Sequence, residues 1–342
     1  LDKTGSMIFM KMDLSIMPVK VMVCAAQPIG IIMQTHLSRR GAFLLFAVIV
    51  IAWGLNWTIT KTLVQSVTPL WTTAFRSGIA TVALAALLFA RGEMIVPRRG
   101  DLPVVFVTSI FHLVAFSALV AYGLQFAAVG RSIVLGYTTP LWVMPAAWLF
   151  LGERMTPSRS LGMALGLAGL TVMFNPLAFN WADVNTLAGS GAILLAALCW
   201  AVSIVYVRAH RWISTPFQLV FWQMLLATVV VSVLALLKDG VPHPTWSAQL
   251  VGLFLFSGII GTALANWAMS TANRSLPAVV TSLGLLATPV VGVASSAIIL
   301  GEVVTADLVV AMLLILGGIA IGTIPRREKA PAQKHAPLVV ES

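Results

Sequence analysis

His112 is the only one of five histidines to fall inside a long apolar run, where an imidazole has two uses. It can relay a proton, since burying an ionisable group is costly enough to point to function, or it can sit neutral in a hydrogen bond to a neighbouring helix. Tyr137 falls at similar depth in the next run, followed by Leu141, Met144 and Trp148 at helical spacing. That stripe suits a partly apolar ligand or ordinary helix packing. Trp53, Asn56 and Thr60 share one helix face, and Trp200 and Ser203 repeat the pattern in the second half of the chain. Both tryptophans lie several residues inside their runs, deeper than an interfacial anchor. Trp53, Asn56, His112, Tyr137, Trp200, Ser203 and Thr288 together make a candidate binding set that offers stacking area and hydrogen-bond partners.

The set contains no acid. All 11 Asp and Glu residues map to termini, loops or the ends of apolar runs. A buried carboxylate is the usual proton relay of a coupled antiporter and the usual counter-charge for an organic cation. Neither role has an occupant, which leaves His112 as the one titrating candidate. Arg76 is the single fixed charge inside a run; it snorkels, pairs with a carboxylate at a helix end, or meets a substrate carboxylate. The sequence holds no His-Glu-x-x-His face for a metal and no paired acids for phosphoryl chemistry, so no catalytic residue, metal or cofactor is expected. Cys24 and Cys199 do not read as a metal site, and Cys199, inside a run, does not read as half of a disulfide.

The elements that must position these residues follow from composition. With 59% hydrophobic residues, 9% charged and a mean hydropathy of +0.97 over 342 residues, the chain is too apolar for a water-facing surface. Its apolar runs lie near 41–60, 70–90, 103–122, 128–150 and 158–174, then 187–207, 216–237, 248–270, 277–300 and 304–324. Each can cross about 30 Å of hydrocarbon as a helix that satisfies its own backbone. The expected partners are the lipid bilayer and a small solute, and the net charge of +10 is read as membrane topology rather than nucleic-acid binding.

Two phrases repeat. "LFLGERMT" (149–156) and "IILGEVVT" (298–305) share Gly-Glu, and each is preceded by Thr-Pro at the same distance, Pro140 before Gly152 and Pro289 before Gly301. Such a constant offset marks an internal duplication. Each proline frees a carbonyl one turn earlier, at Gly136 and Leu285, and is expected to kink its helix at a moving element. Glu153 and Glu302 are expected to end their helices and to cap or pair locally. Five helices per copy is an odd number, so the copies enter the membrane from opposite sides. Basic residues collect at one end of the helices, from Arg39 and Arg40 to Lys329 and Lys334, against Lys61, Arg131 and Lys238 at the other. Both termini are therefore expected in the cytoplasm. Inverted repeats suit an alternating-access carrier.

"AWGLN" (52–56), "LCWAVS" (198–203) and the two Pro-x(11)-Gly-Glu stretches resemble the EamA-type drug/metabolite transporters over residues 40–324, and most of all the bacterial aromatic amino-acid exporters. The resemblance implies ten helices around a central cavity walled by helices 1, 3, 4, 6, 8 and 9, with alternating access. The reading is an all-α membrane protein of the bacterial inner membrane, a first repeat over 41–175 and a second over 187–324. It is expected to export neutral or zwitterionic metabolites, foremost large apolar amino acids, by facilitated diffusion or exchange. The alternatives are a proton-coupled exporter of other metabolites or drugs, a membrane-embedded enzyme and a structural membrane subunit. The expected state is a monomer, with a dimer as the alternative. Residues 1–37 read as a leader of doubtful status, an over-extended start or residues carried over from cloning, and 325–342 as a disordered cytoplasmic tail.

Overall fold

The computed structural model describes residues 39–174, 182–276 and 278–323, so the expectations for the leader and the tail lie outside the described residues. Among them the regular structure is helical and makes ten passes. These are α1 (Arg39–Leu63), α2 (Pro69–Ala90), α3 (Arg99–Phe126), α4 (Val129–Leu151), α5 (Pro157–Met173), α6 (Val184–Ala209), α7 (Pro216–Asp239), α8 (Ala248–Ala272), α9 (278–300) and α10 (Ala306–Thr323). Eight are long and apolar enough to cross a bilayer; α5, at 17 residues, is just shorter, and α9 is interrupted. Their outer faces carry Leu44, Val82, Phe89, Phe150 and Ile298, each at least 70% exposed. That inside-out surface is stable only against lipid.

Helix boundaries follow local chemistry. Thr156, Asp183, Thr215 and Ser247 each accept a backbone N–H of the first turn that follows, and Pro157 and Pro216 open helices whose first N–H would have no partner. Gly152 and Gly301 end α4 and α9 at φ 66° and 69°, a left-handed conformation that glycine adopts at least cost.

The repeats interleave. α2 packs on α7 and α5 on α10, each helix against its own counterpart. α1 packs on α8 and α9, and α6, its counterpart, packs on α3 and α4 in the same way. The α5–α10 seam is glycine on glycine: a Cβ at Gly162 would strike the Gly318 carbonyl, and a Cβ at Gly318 the Gly162 carbonyl. Small residues allow such close approach where no hydrophobic force drives helices together. Hydroxyls add cross-helix bonds, Thr58 to Ser295 at 2.7 Å and Thr81 to Thr228 at 3.0 Å.

Both proline helices differ from a kinked rod. α4 is two helices, Val129–Gly136 and Thr139–Leu151, and α9 is likewise split into Ala278–Gly284 and Ala287–Leu300. Pro140 and Pro289 open the second halves rather than bend a continuous helix. The carbonyls expected to be free are taken: Gly136 O accepts the Thr139 hydroxyl at 2.8 Å, and Leu285 O accepts the Thr288 N–H at 3.0 Å. Local turns have satisfied what the missing proline N–H left open.

The two glutamates also part company. Glu302 reaches out of its own helix end to the start of α4, accepting Val129 N–H at 2.7 Å and Gly130 N–H at 3.0 Å. Lys61, in the last turn of α1, donates to Leu124 O at 2.6 Å and Ala127 O at 3.1 Å at the end of α3. The α3–α4 turn is thus held by an anion on a helix N-terminus and a cation on a helix C-terminus, each matched to its helix dipole. Glu153, at the corresponding place in the first repeat, instead pairs with Arg159 at 3.0 Å and with Arg208. At that same end, Asp101 is fully buried and accepts from His210 Nε2, Ile213 N–H and Ser214 N–H at 2.9–3.2 Å. It fastens the α6–α7 connection to the start of α3.

Candidate functional site

A cavity of about 220 Å³ lies between the two repeats. Trp53, Asn56 and Trp57 of α1 reach it, as do Arg76 and Ser77 of α2, and Thr108, His112 and Phe116 of α3. Tyr137 comes from the break in α4, Trp200 from α6, Gln223 and Met224 from α7, and Gly261, Thr262 and Asn266 from α8. α9 contributes no described residue to this lining, whereas α2 and α7 do, which differs from the wall that the resemblance implied. The second half of α9 lies instead behind α1, where Val291 fills the space beside Gly54.

One wall is aromatic. The His112 ring stacks on Trp200 with centroids 5.2 Å apart and planes 6° from parallel; Phe116 lies 5.0 Å from the same indole. Tyr137 meets Trp200 edge-on at 6.4 Å. Such contacts hold rings in place and present flat apolar faces to a ligand. The Trp57 ring crosses the α4 break so closely that a Cβ on Gly136 would lie 2.6 Å from it. A side chain at that position would have to push the indole aside.

Other parts of the lining are polar. Asn56 accepts the Ser257 hydroxyl at 2.6 Å, and Asn266 donates to Thr262 O at 2.7 Å. The backbone changes here as well. Thr108–Phe116 of α3 and Phe256–Leu264 of α8 are π-helical, with i→i+5 hydrogen bonds. They are counterparts in the two repeats, and both border the cavity. His112 and Thr262 lie in these segments and line the space, and π turns recur at functional sites.

Five of the seven expected residues meet at this cavity: Trp53, Asn56, His112, Tyr137 and Trp200. Ser203 and Thr288 do not; both are buried between helices, at 2% and 0% exposure. Thr60 is also buried, its hydroxyl bonded back to Asn56 O. The stripe below Tyr137 is packing: Leu141 fills the space at Gly166, Met144 lies near Gly322, and Trp148 faces outward at 55% exposure. Sequence reasoning did not select Trp57, Phe116, Gln223 or Asn266. Gln223 and Asn266 carry a usable signal, an amide in the middle of an apolar run. Arg76, for which the sequence allows snorkelling, a helix-end partner or a substrate carboxylate, lines the cavity.

No acid joins them. The described carboxylates lie at helix ends or loops, and among the described residues no cluster of His, Cys, Asp and Glu could hold a metal. The arrangement can bind a small solute by stacking and hydrogen bonding, with one cation present.

The EamA-like transporter family profile matches residues 40–175 and again 187–323. An uncharacterised transporter of Bacillus subtilis, YoaV, is 26% identical over 275 residues, 80% of this chain and 94% of that protein. A probable amino-acid metabolite efflux pump of Salmonella typhimurium is 25% identical, covering 87% of this chain and 99% of its own. A riboflavin transporter of Rhizobium johnstonii is 31% identical over 158 residues, 46% of this chain and 49% of that one. A protein of known crystal structure shares the fold at a TM-score of 0.58 and 24% identity, over 84% of this chain and 97% of that one.

Proposed function

The chain belongs to the EamA-like transporter family, and we propose that it exports small zwitterionic metabolites by alternating access, above all amino acids with aromatic or other large apolar side chains. Transport is by facilitated diffusion or exchange, and the protein is not an enzyme. The observation that carries this reading is the cavity wall of His112, Phe116, Tyr137 and Trp200 in a site without a carboxylate. Stacked rings favour a flat or bulky apolar side chain, and the amides and hydroxyls elsewhere in the lining favour a polar head group. The absence of an acid from the described lining argues against organic cations and against a carboxylate proton relay. Two relatives bracket the choice. The one named for amino-acid metabolites aligns along nearly its whole length, while the one named for riboflavin aligns over about half.

The broken helices support a carrier. α4 and α9 are divided at matching points, so each half can tilt against the other without rupturing a continuous hydrogen-bond ladder. The setting proposed is the bacterial inner membrane with both termini cytoplasmic, supported by the distribution of Lys and Arg.

The test is flux in liposomes carrying the purified protein. Phenylalanine, tryptophan and methionine should move down their own gradients without an imposed proton gradient, and Trp200→Ala should slow them. Strict dependence on a proton gradient, or preference for cationic dyes, overturns the proposal.

A further inference from the structure

Arg76 is a guanidinium without an anion. It stands seven residues into α2, about two helical turns from Pro69, and lines the cavity rather than pointing along the helix to an interface. It makes no side-chain hydrogen bond and no ion pair among the described residues. Four described carboxylates are engaged elsewhere, Glu93 with Arg91, Glu153 with Arg159 and Arg208, Asp101 with His210, and Glu302 with the N-terminus of α4, and Asp239 at the end of α7 forms no ion pair with Arg76. Gln223, whose residue is 7% exposed, borders the same space and has no side-chain partner among the described residues either.

Arg76 is half-buried, its accessible part lining the cavity, and an uncompensated cation at membrane depth is expensive. A structural arginine at this depth would be expected to sit against a carboxylate or a row of carbonyls. This one has open space on its polar side instead. The guanidinium offers a planar fork of donors whose geometry matches a carboxylate, two parallel N–H···O bonds of the charge-assisted kind. The aromatic wall of His112, Phe116 and Trp200 borders the same cavity, within the length of one small molecule. A ligand can therefore place an anion on the fork while its apolar body lies against the rings.

Resting on the transport reading above, we propose that Arg76 receives the carboxylate of the substrate, and that this contact makes the carrier selective for solutes bearing a carboxylate on an apolar body over the matching amines. Gln223 supplies a further amide to the same head group. The ammonium of an amino acid needs no protein anion under this arrangement. Its own carboxylate, held nearby, offsets much of its charge, and Asn56 and water provide acceptors.

The experiment measures binding and flux separately. Phenylalanine, 3-phenylpropionate and phenethylamine share one apolar body and differ in head group. Calorimetric titration in detergent should show the two carboxylates binding and the amine at least about tenfold weaker. Arg76→Gln should weaken both carboxylates by about tenfold or more and leave the amine unchanged, while Arg76→Lys, which keeps the charge but not the fork, should fall between. Size-exclusion profile and thermal transition establish that each variant is folded. If Arg76→Gln does not fold, the wild-type head-group series together with Arg76→Lys decides.

Equal binding of amine and carboxylates, binding of neither carboxylate, or an Arg76→Gln protein that binds both as before overturns the assignment. Carboxylates that bind through Arg76 while phenylalanine fails to cross the liposome membrane uphold the assignment and overturn the transport reading. Phenylalanine flux that is unchanged by Arg76→Gln does the reverse.

Discussion

Replacing Glu302 by glutamine should unlatch the face of the protein that carries the α3–α4 turn. The carboxylate accepts two backbone N–H bonds at 2.7 and 3.0 Å from the first residues of α4, and it lies at the positive end of that helix dipole. Losing a good N-terminal cap costs about 1–2 kcal/mol, and removing the charge from the dipole contributes about 0.3–1 kcal/mol of that order. Glutamine retains one acceptor oxygen and loses the charge and the second acceptor, so a net loss of roughly 1–2 kcal/mol is expected for the arrangement in which Glu302 holds the start of α4. In a two-state carrier that shifts the population by a factor of about 5–30. The reporter is Ser132→Cys on a background with Cys24 and Cys199 replaced by serine. Ser132 is fully buried in the first half of α4, and its hydroxyl has no partner, so a thiol fits there and reads opening directly. Labelling by a membrane-impermeant maleimide should accelerate by about 5–30-fold in Glu302→Gln. A second reporter, Thr281→Cys, is buried in the first half of α9 in the other repeat and should not accelerate. Unchanged labelling at Ser132→Cys, or equal acceleration at both positions, would refute the reasoning, the second because it reports general loosening.

Pro140→Ala restores an N–H opposite Gly136 O, now held by Thr139, and lets the halves of α4 join; flux should fall about tenfold, for roughly 1.4 kcal/mol of lost hinge freedom, with membrane insertion intact. Unchanged flux would count against the hinge. Gly162→Leu cannot keep the approach to Gly318 and should destabilise the α5–α10 seam by about 1–3 kcal/mol, seen as a lower thermal transition in detergent. Asp101→Ala strands His210 and two backbone N–H groups and should cost about 3–5 kcal/mol, visible as reduced stability rather than altered head-group preference. Reporters fused after Arg99 and after Lys238 should lie on opposite sides of the membrane; the same side for both would remove the basis of the inverted arrangement.

Much of this molecule is local and is written along the chain. A run of apolar residues long enough for hydrocarbon must be a helix, because no other single-segment form satisfies its backbone in lipid. Ten passes and the glycine ends at Gly152 and Gly301 were therefore legible. So was the duplication, since its evidence is spacing alone. Depth was legible too: Trp53, Asn56, His112, Tyr137 and Trp200 were selected as intramembrane residues of the wrong polarity or bulk, and they share the cavity. The rotation of each helix was not. Where lipid and protein neighbours are equally apolar, hydropathy does not say which face looks inward, so Trp200 and Ser203, three residues apart, received the same expectation, although only the first lines the space. The π segments of α3 and α8 shift that register further and leave no pattern in residue types. Contacts distant in the chain were the other gap. Nothing near Glu302 names Val129 as its partner, and nothing near Arg76 shows that it faces a cavity rather than a carboxylate. A side chain's partner depends on how helices pack across the repeat interface, and packing is decided by shape in three dimensions, whereas the turn, the cap and the span are decided by the chemistry of a few adjacent residues.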